Sequence, residues 1–231
     1  MTTHAHNNAL YAKVIRKGLR PKHVAEVGVH QPESSNIYRF IRDGIRTTLV
    51  EPEPESIEQI RQHFSECDHV TLHTCAMCDA AGEIELFKKG PSTFVGHLPD
   101  SPAMVNDGYV PAPEDRFSVR ASTFDTVDDG SIDLLSVDTE GSEWYVIKHL
   151  VSRPTVISVE THGGAYVNPF LADIECWMEQ ENYCPWYKGK TDTVYVRPQT
   201  VPVTLAERVN LAWMNARIRL RRTRKRMANR R

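Results

Sequence analysis

Long apolar runs are missing from this chain. None of its 231 residues falls in a stretch approaching the roughly eighteen apolar positions of a membrane-spanning helix. The first twenty residues carry Lys13, Arg16, Lys17 and Arg20 without an apolar segment, so no secretory leader is expected. Cysteine is sparse and scattered. Cys67, Cys75, Cys78, Cys176 and Cys184 supply one C-x-x-C, with neither a second one nor a paired-histidine cluster to complete a zinc site. Reduced thiols in or near a core are the simpler reading, and they point to a cytoplasmic protein. Glycine is scarce where a dinucleotide fingerprint needs it: the turn reads Gly28, His30, Pro32, and two of the fingerprint's glycines are missing. Such a turn leaves the next helix N-terminus poorly placed to cradle a pyrophosphate. No internal repeat is visible.

What is present reads as an α/β protein. Apolar residues make up 40% and charged residues 25%, ordinary for a globular chain long enough to bury one substantial core. The organising stretch runs from Val24 to Pro54. His23–Val27 is an apolar strand, and Pro32, Glu33 and Ser34 carry helix-start chemistry. Ile37, Phe40 and Ile41 give that helix one apolar face, and Thr47–Val50 is a second strand stopping on Glu51. An acidic residue about 20 positions beyond a glycine turn, at the end of the next parallel strand, is where a Rossmann-like unit holds a ribose. Gly28 and Glu51 fit that spacing. A nucleoside without a diphosphate, S-adenosylmethionine above all, suits the turn; an ordinary βαβ unit with a solvent-facing Glu51 suits it equally.

Residues 7–18, Glu55–Phe64 and 170–181 read as further helices. Val70–Ala76, Ile84–Phe87, Phe117–Ala121, Ile132–Val137 and Thr155–Val159 read as strands, with a helix through Trp144, Ile147 and Leu150. Cys184–Tyr187 and Thr193–Val196 read as an antiparallel pair. Residues 90–116, punctuated by Pro and Gly, read as a long loop from which Phe94, His97 and Tyr109 can face a substrate. This divides the chain into an N-terminal helical segment (1–20), a main domain (21–200) and a C-terminal extension (201–231). The strand ends in order carry Glu26/Gly28, Glu51, Ala76–Asp79, Asp138/Glu140 and Glu160/His162. They make an acidic rim on the edge where open α/β sheets collect ligands.

The runs VAEVGVH, LVEPEPESIEQI, CAMCDAAGEIELF, ASTFDTV, IDLLSVDTEGSEWYVI and VISVETH follow in the order and spacing of a known family. The chain resembles the FkbM family of S-adenosylmethionine-dependent methyltransferases over roughly residues 22–165. Asp133–Glu143 lies close to the family's D-L-x-x-x-D-x-E-G-x-E. The resemblance implies a Rossmann-like class I methyltransferase sheet with helices on both faces, and methylation of hydroxyl oxygens on sugars, glycans or related small molecules. It implies that Glu26 and Gly28 border the methionine part of the cofactor, that Glu51 meets the ribose, and that Asp79, with Ala76 beside it, meets the adenine amino group; His30 also falls in the cofactor-binding set. It places Asp138 near the transferred methyl group. Where the family usually has Asn and Gly, this chain has His30 and Pro32.

Sulfonium methyl transfer is an in-line displacement, so alignment supplies most of the catalysis and a general base assists. Asp138 and His162 are the candidate bases, with Glu140, Glu160 and His162 on the acceptor side. His162 capping a strand end is the plainer alternative. Asp138, Glu140 and Glu143 are also oxygen ligands suited to Mg²⁺, but helix-start duty explains the two glutamates more cheaply, and no metal ligand is assigned.

Charge is unevenly spread. Residues 216–231 hold nine of the 28 Lys and Arg and no acid, leaving 19 basic against 30 acidic residues in the body. Leu205, Val209, Ala212, Trp213, Ala216 and Leu220 recur at helical spacing ahead of these arginines. A basic amphipathic helix of this kind suits an anionic membrane surface. An apolar stripe packed on the domain suits it as well, and nucleic-acid phosphates are a third partner. Two rivals to the glycan reading follow: an RNA 2′-O-methyltransferase, which lacks here the lysine–aspartate arrangement usual for it, and a non-catalytic Rossmann-like interaction module.

Overall fold

The computed structural model describes residues 7–90, 92–96, 98 and 101–228, apart from the side chains of residues 7, 8, 107, 222 and 225–228. His97 and the two ends of the chain, 1–6 and 229–231, lie outside the described residues.

In chain order the elements are α1 (Asn7–Arg16), β1 (His23–Val27), α2 (Tyr38–Arg42), β2 (Arg46–Val50), α3 (Pro54–His63) and β3 (Val70–His73). There follow β4 (Ala76–Met77), β5 (Gly82–Lys89), β6 (Ser92–Val95), α4 (Pro102–Asp107), β7 (Arg116–Ser122) and β8 (Leu134–Val137). The last are α5 (Glu143–Ile147), β9 (Val156–Glu160), α6 (Leu171–Gln180), β10 (Cys184–Lys188), β11 (Asp192–Val196) and α7 (Leu205–Ala228). Seven strands form the main sheet in the order β10-β11-β9-β8-β1-β2-β3, and β11 alone runs against its neighbours. The order reverses at β1: the chain goes outward through β2 and β3, then returns to build β8 and β9 on the other side.

Strand composition explains this arrangement. The inner strands are apolar on both faces because helices cover both. Ala25 and Val27 point into a core with Val146, Ile147, Ile174 and Met178 of α5 and α6. Val24, one residue out of phase, packs with Leu10, Val14, Phe40 and Ile60 on the opposite face.

Three sequence-based expectations change. The helix after Gly28 is not continuous: a 3₁₀ turn covers Pro32–Ser34, and α2 begins only at Tyr38. Ser35 and Asn36 between them turn inward to bond Glu26. The strand expected over Val70–Ala76 breaks after His73, and Ala76–Met77 joins a second sheet, β4-β7-β5-β6. The stretch 90–116 is not all loop. β6 pairs antiparallel with β5, and α4 starts with Ser101 Oγ accepting from Met104 N at 3.3 Å and ends on left-handed Gly108.

Candidate active site

Gly28 decides how closely β1 and β8 can converge. Its φ is +84°, and a Cβ there would stand 1.7 Å from the Asp138 carbonyl oxygen. Only glycine permits this approach. Gly28 N–H donates to Val50 O at 3.0 Å and Asp138 N–H to Val27 O at 2.9 Å, so the strand ends stay laddered up to the turn. Past that point the backbones separate, leaving a cavity of about 280 Å³ at the place where the sheet order reverses.

Glu26, Gly28, His30, Glu51, Ala76, Asp138 and Glu140 of the sequence-derived set all line this cavity. Glu51 is 4% exposed and receives three backbone N–H groups: Val29 at 2.9 Å, His30 at 2.8 Å and Glu53 at 2.9 Å. It therefore clamps the turn after β1 and is not solvent-facing. His30 sits at φ +56°, a left-handed conformation in which Asn, Asp and His are tolerated best. Glu26 is 1% exposed; it accepts from Ser35 Oγ and, at 2.8 Å, from Asn36 N. Burial outweighs these bonds and pushes its carboxyl up to about 8. Burial likewise raises Glu51 and lowers the His30 imidazole. Glu140 accepts from Ser92 Oγ at 2.9 Å, which ties the second sheet to the site.

Asp79, Glu160 and His162 do not line the cavity. Asp79 is exposed and pairs with Lys148, and with His149 at 3.6 Å; the lysine holds its carboxyl below the usual range. The break after β3 turns this residue outward, leaving Ala76 at the wall. His162 is 5% exposed, its Nδ1 2.9 Å from Thr161 Oγ1, and burial with the nearby Lys188 charge pushes it down to about 4. It is a strand-end residue behind the site, and its Nε2 has no hydrogen-bond partner among the described residues.

Glu160 reaches the site from behind. Carboxylate oxygens of Asp138, Glu143 and Glu160 all lie within 4.8 Å of one another. Burial, then mutual repulsion with neighbouring acids, raises Asp138 and Glu160 well above the carboxylate range. Glu143 is wholly buried; it accepts from Thr139 N at 2.8 Å, Gly141 N at 3.2 Å and Asn168 Nδ2. Glu160 Oε2 and the enclosed Tyr166 hydroxyl have no hydrogen-bond partner among the described residues. Asp138 links this carboxylate cluster to the cavity. Sequence reasoning gave Glu143 a helix-start role and missed Asn168 and Tyr166, which lie in an irregular segment without a periodic signal.

The sheet order with its single reversed strand, a glycine at the switch point and an acidic cavity beyond it define a Rossmann-like methyltransferase of class I. The methyltransferase FkbM domain family matches residues 24–184, and the chain belongs to that family. S-adenosylmethionine is the methyl donor the family implies. No curated protein sequence matches the chain. Among solved structures it is similar to the methyltransferase domain of bacterial CtHen1, with 13% identity, TM-score 0.45 and coverage of 83% of this chain and 97% of that one. It is similar also to a SAM-dependent methyltransferase from Aquifex aeolicus, with 8% identity, TM-score 0.43 and coverage of 85% and 93%. The glycopeptide N-methyltransferase MtfA gives 10% identity, TM-score 0.41 and coverage of 82% and 88%.

Proposed function

We propose that the protein transfers the methyl group of S-adenosylmethionine to a hydroxyl oxygen of a sugar, glycan or related small-molecule acceptor. The observation that carries this reading is the acidic make-up of the cavity wall: Glu26, Glu51, Asp138 and Glu140 line it, and among the described residues no Lys or Arg does. Such a wall offers a phosphate no cationic partner and favours a cationic nucleoside, whose charge draws the buried carboxyls toward their ionised form. When bound, the donor supplies an electrophilic methyl carbon on a sulfonium. Glu51, fixed by three amides, keeps a free lone-pair site on Oε1 for a ribose hydroxyl. Gly28 keeps side-chain bulk out of the turn, and Glu26 and Asn36 form one wall. Asp138 accepts the proton of the acceptor hydroxyl as the oxygen attacks. Its raised pKa makes it a stronger base than an exposed carboxylate, and a neighbouring positive charge favours its ionised form.

A divalent cation at Asp138, Glu143 and Glu160 is the second reading, favoured by their oxygen spacing and by Glu160 Oε2, which has no partner among the described residues. Those residues would hold Mg²⁺, which would supply charge for the acceptor oxygen. Calorimetry with S-adenosylhomocysteine tests the first reading together with transfer of labelled methyl to a panel of hydroxyl and amine acceptors. Binding, with methyl ethers as products, supports it. Absence of binding overturns it, and transfer to amines alone overturns the oxygen assignment. Activity lost with EDTA and restored by Mg²⁺ selects the metal-assisted form.

A further inference from the structure

α7 carries an apolar stripe that the protein body does not use. At about 100° per residue, Leu205, Val209, Trp213 and Leu220 fall within an arc of about 80°. Their exposures are 78%, 62%, 58% and 54%, and they make up four of the six large apolar side chains exposed among the described residues. The half-buried positions Glu207, Leu211, Met214, Asn215 and Ile218 lie on the opposite side of the helix. That inner face is fixed to the body at its start. Thr204 and Glu207 form a reciprocal cap, Thr204 N donating to Glu207 Oε2 at 2.8 Å and Glu207 N to Thr204 Oγ1 at 3.3 Å. Glu207 also accepts from Lys17 Nζ at 2.8 Å and Trp186 Nε1 at 2.7 Å. The rotation of the helix is thus set by polar contacts, and the stripe is turned away from the domain.

The flanks of the stripe are basic. Arg217, Arg219, Arg221 and Arg224 are exposed, and the Arg217 guanidinium lies over the Trp213 ring, 5.3 Å from its centroid. Glu207, engaged as above, is the helix's sole acid.

We propose that α7 docks the protein on an anionic phospholipid surface, with Leu205, Val209, Trp213 and Leu220 in the headgroup–acyl boundary and the arginines on lipid phosphates. No helix of the described residues is long and apolar enough to cross a membrane, so the helix lies in the interface plane. Nucleic acid would leave the stripe in water. Parallel pairing of two copies through the stripe would bring their arginine flanks together. This inference does not depend on the methyl-transfer reading.

The test is co-sedimentation of the full chain with phosphatidylserine-rich and with pure phosphatidylcholine vesicles, across salt concentration. The proposal expects retention on the anionic vesicles, weakened by salt, and a loss of about tenfold or more in Trp213→Glu, where a charge replaces an inserted ring. A variant with Arg217, Arg219, Arg221 and Arg224 changed to Gln should lose the preference for anionic lipid. All five residues are exposed, so an unchanged thermal melt verifies folding. No retention of the intact chain on anionic vesicles overturns the proposal. So does retention indifferent to Trp213→Glu, as does a concentration-dependent dimer abolished by that change. RNA binding that survives Trp213→Glu, without vesicle binding, assigns the helix to nucleic acid instead.

Discussion

Asn168 holds Glu143 in place: its side-chain amide donates to the Glu143 carboxylate and, at 3.2 Å, to the backbone oxygen of Glu160. One uncharged residue thereby spaces two buried acids. Asn168 Oδ1 also accepts from Phe170 N at 2.8 Å, just before α6. Asn168→Asp would put a further acid beside Glu143 and remove both donors. It should destabilise the protein by about 2–4 kcal/mol, read as a fall in the urea midpoint at neutral pH. An unchanged midpoint would mean that the carboxylate cluster is already neutral or compensated.

Glu51→Ala should weaken S-adenosylhomocysteine binding by at least about tenfold, because it removes the proposed ribose partner and frees three amides that shape the turn. The ribose part is separable. An analogue lacking the ribose hydroxyls should bind variant and parent with a much smaller difference, measured by calorimetry. An equal loss for both ligands would leave Glu51 only its clamping role.

Asp138→Asn should lower kcat by roughly 10²–10⁴ while leaving S-adenosylhomocysteine affinity within a few-fold, as expected for a lost base. His162→Gln, by contrast, should leave kcat nearly unaltered, since that imidazole does not line the cavity. Equal turnover in Asp138→Asn removes it from the chemistry.

Stability should fall as pH rises across the neutral range. Glu26 is raised from 4.5 to about 8 by burial. Below the lower value both folded and unfolded chains hold the proton; between the two the unfolded chain releases it and the folded chain does not. The favourable contribution is therefore present in acid and lost as pH approaches about 8, at roughly 1.4 kcal/mol per pH unit for one group. Glu51, Glu143 and Glu160, raised also, steepen the trend. Urea unfolding between pH 5 and 9 reads it, and saturating donor should flatten the slope by supplying a positive charge.

The local pattern of the chain determined the strands of the main sheet and the sites at their ends. VAEV, LLSV and VISVE are apolar on both faces, which demands helices on both sides and brings their C-terminal ends to one edge. Gly28, Glu51 and Asp138 follow from that placement. The tertiary structure alone decided what no local pattern encodes. The break after His73 moved Asp79 outward, because Ala76 and Met77 pair with β7, some forty residues later in the chain. Glu143 became a buried partner of Asp138 and Glu160 through Asn168, a contact across 25 residues. Helical period revealed the stripe on α7 but gave it no direction. Glu207, bonded to Lys17 and Trp186 from the far end of the chain and the far edge of the sheet, turned that stripe outward.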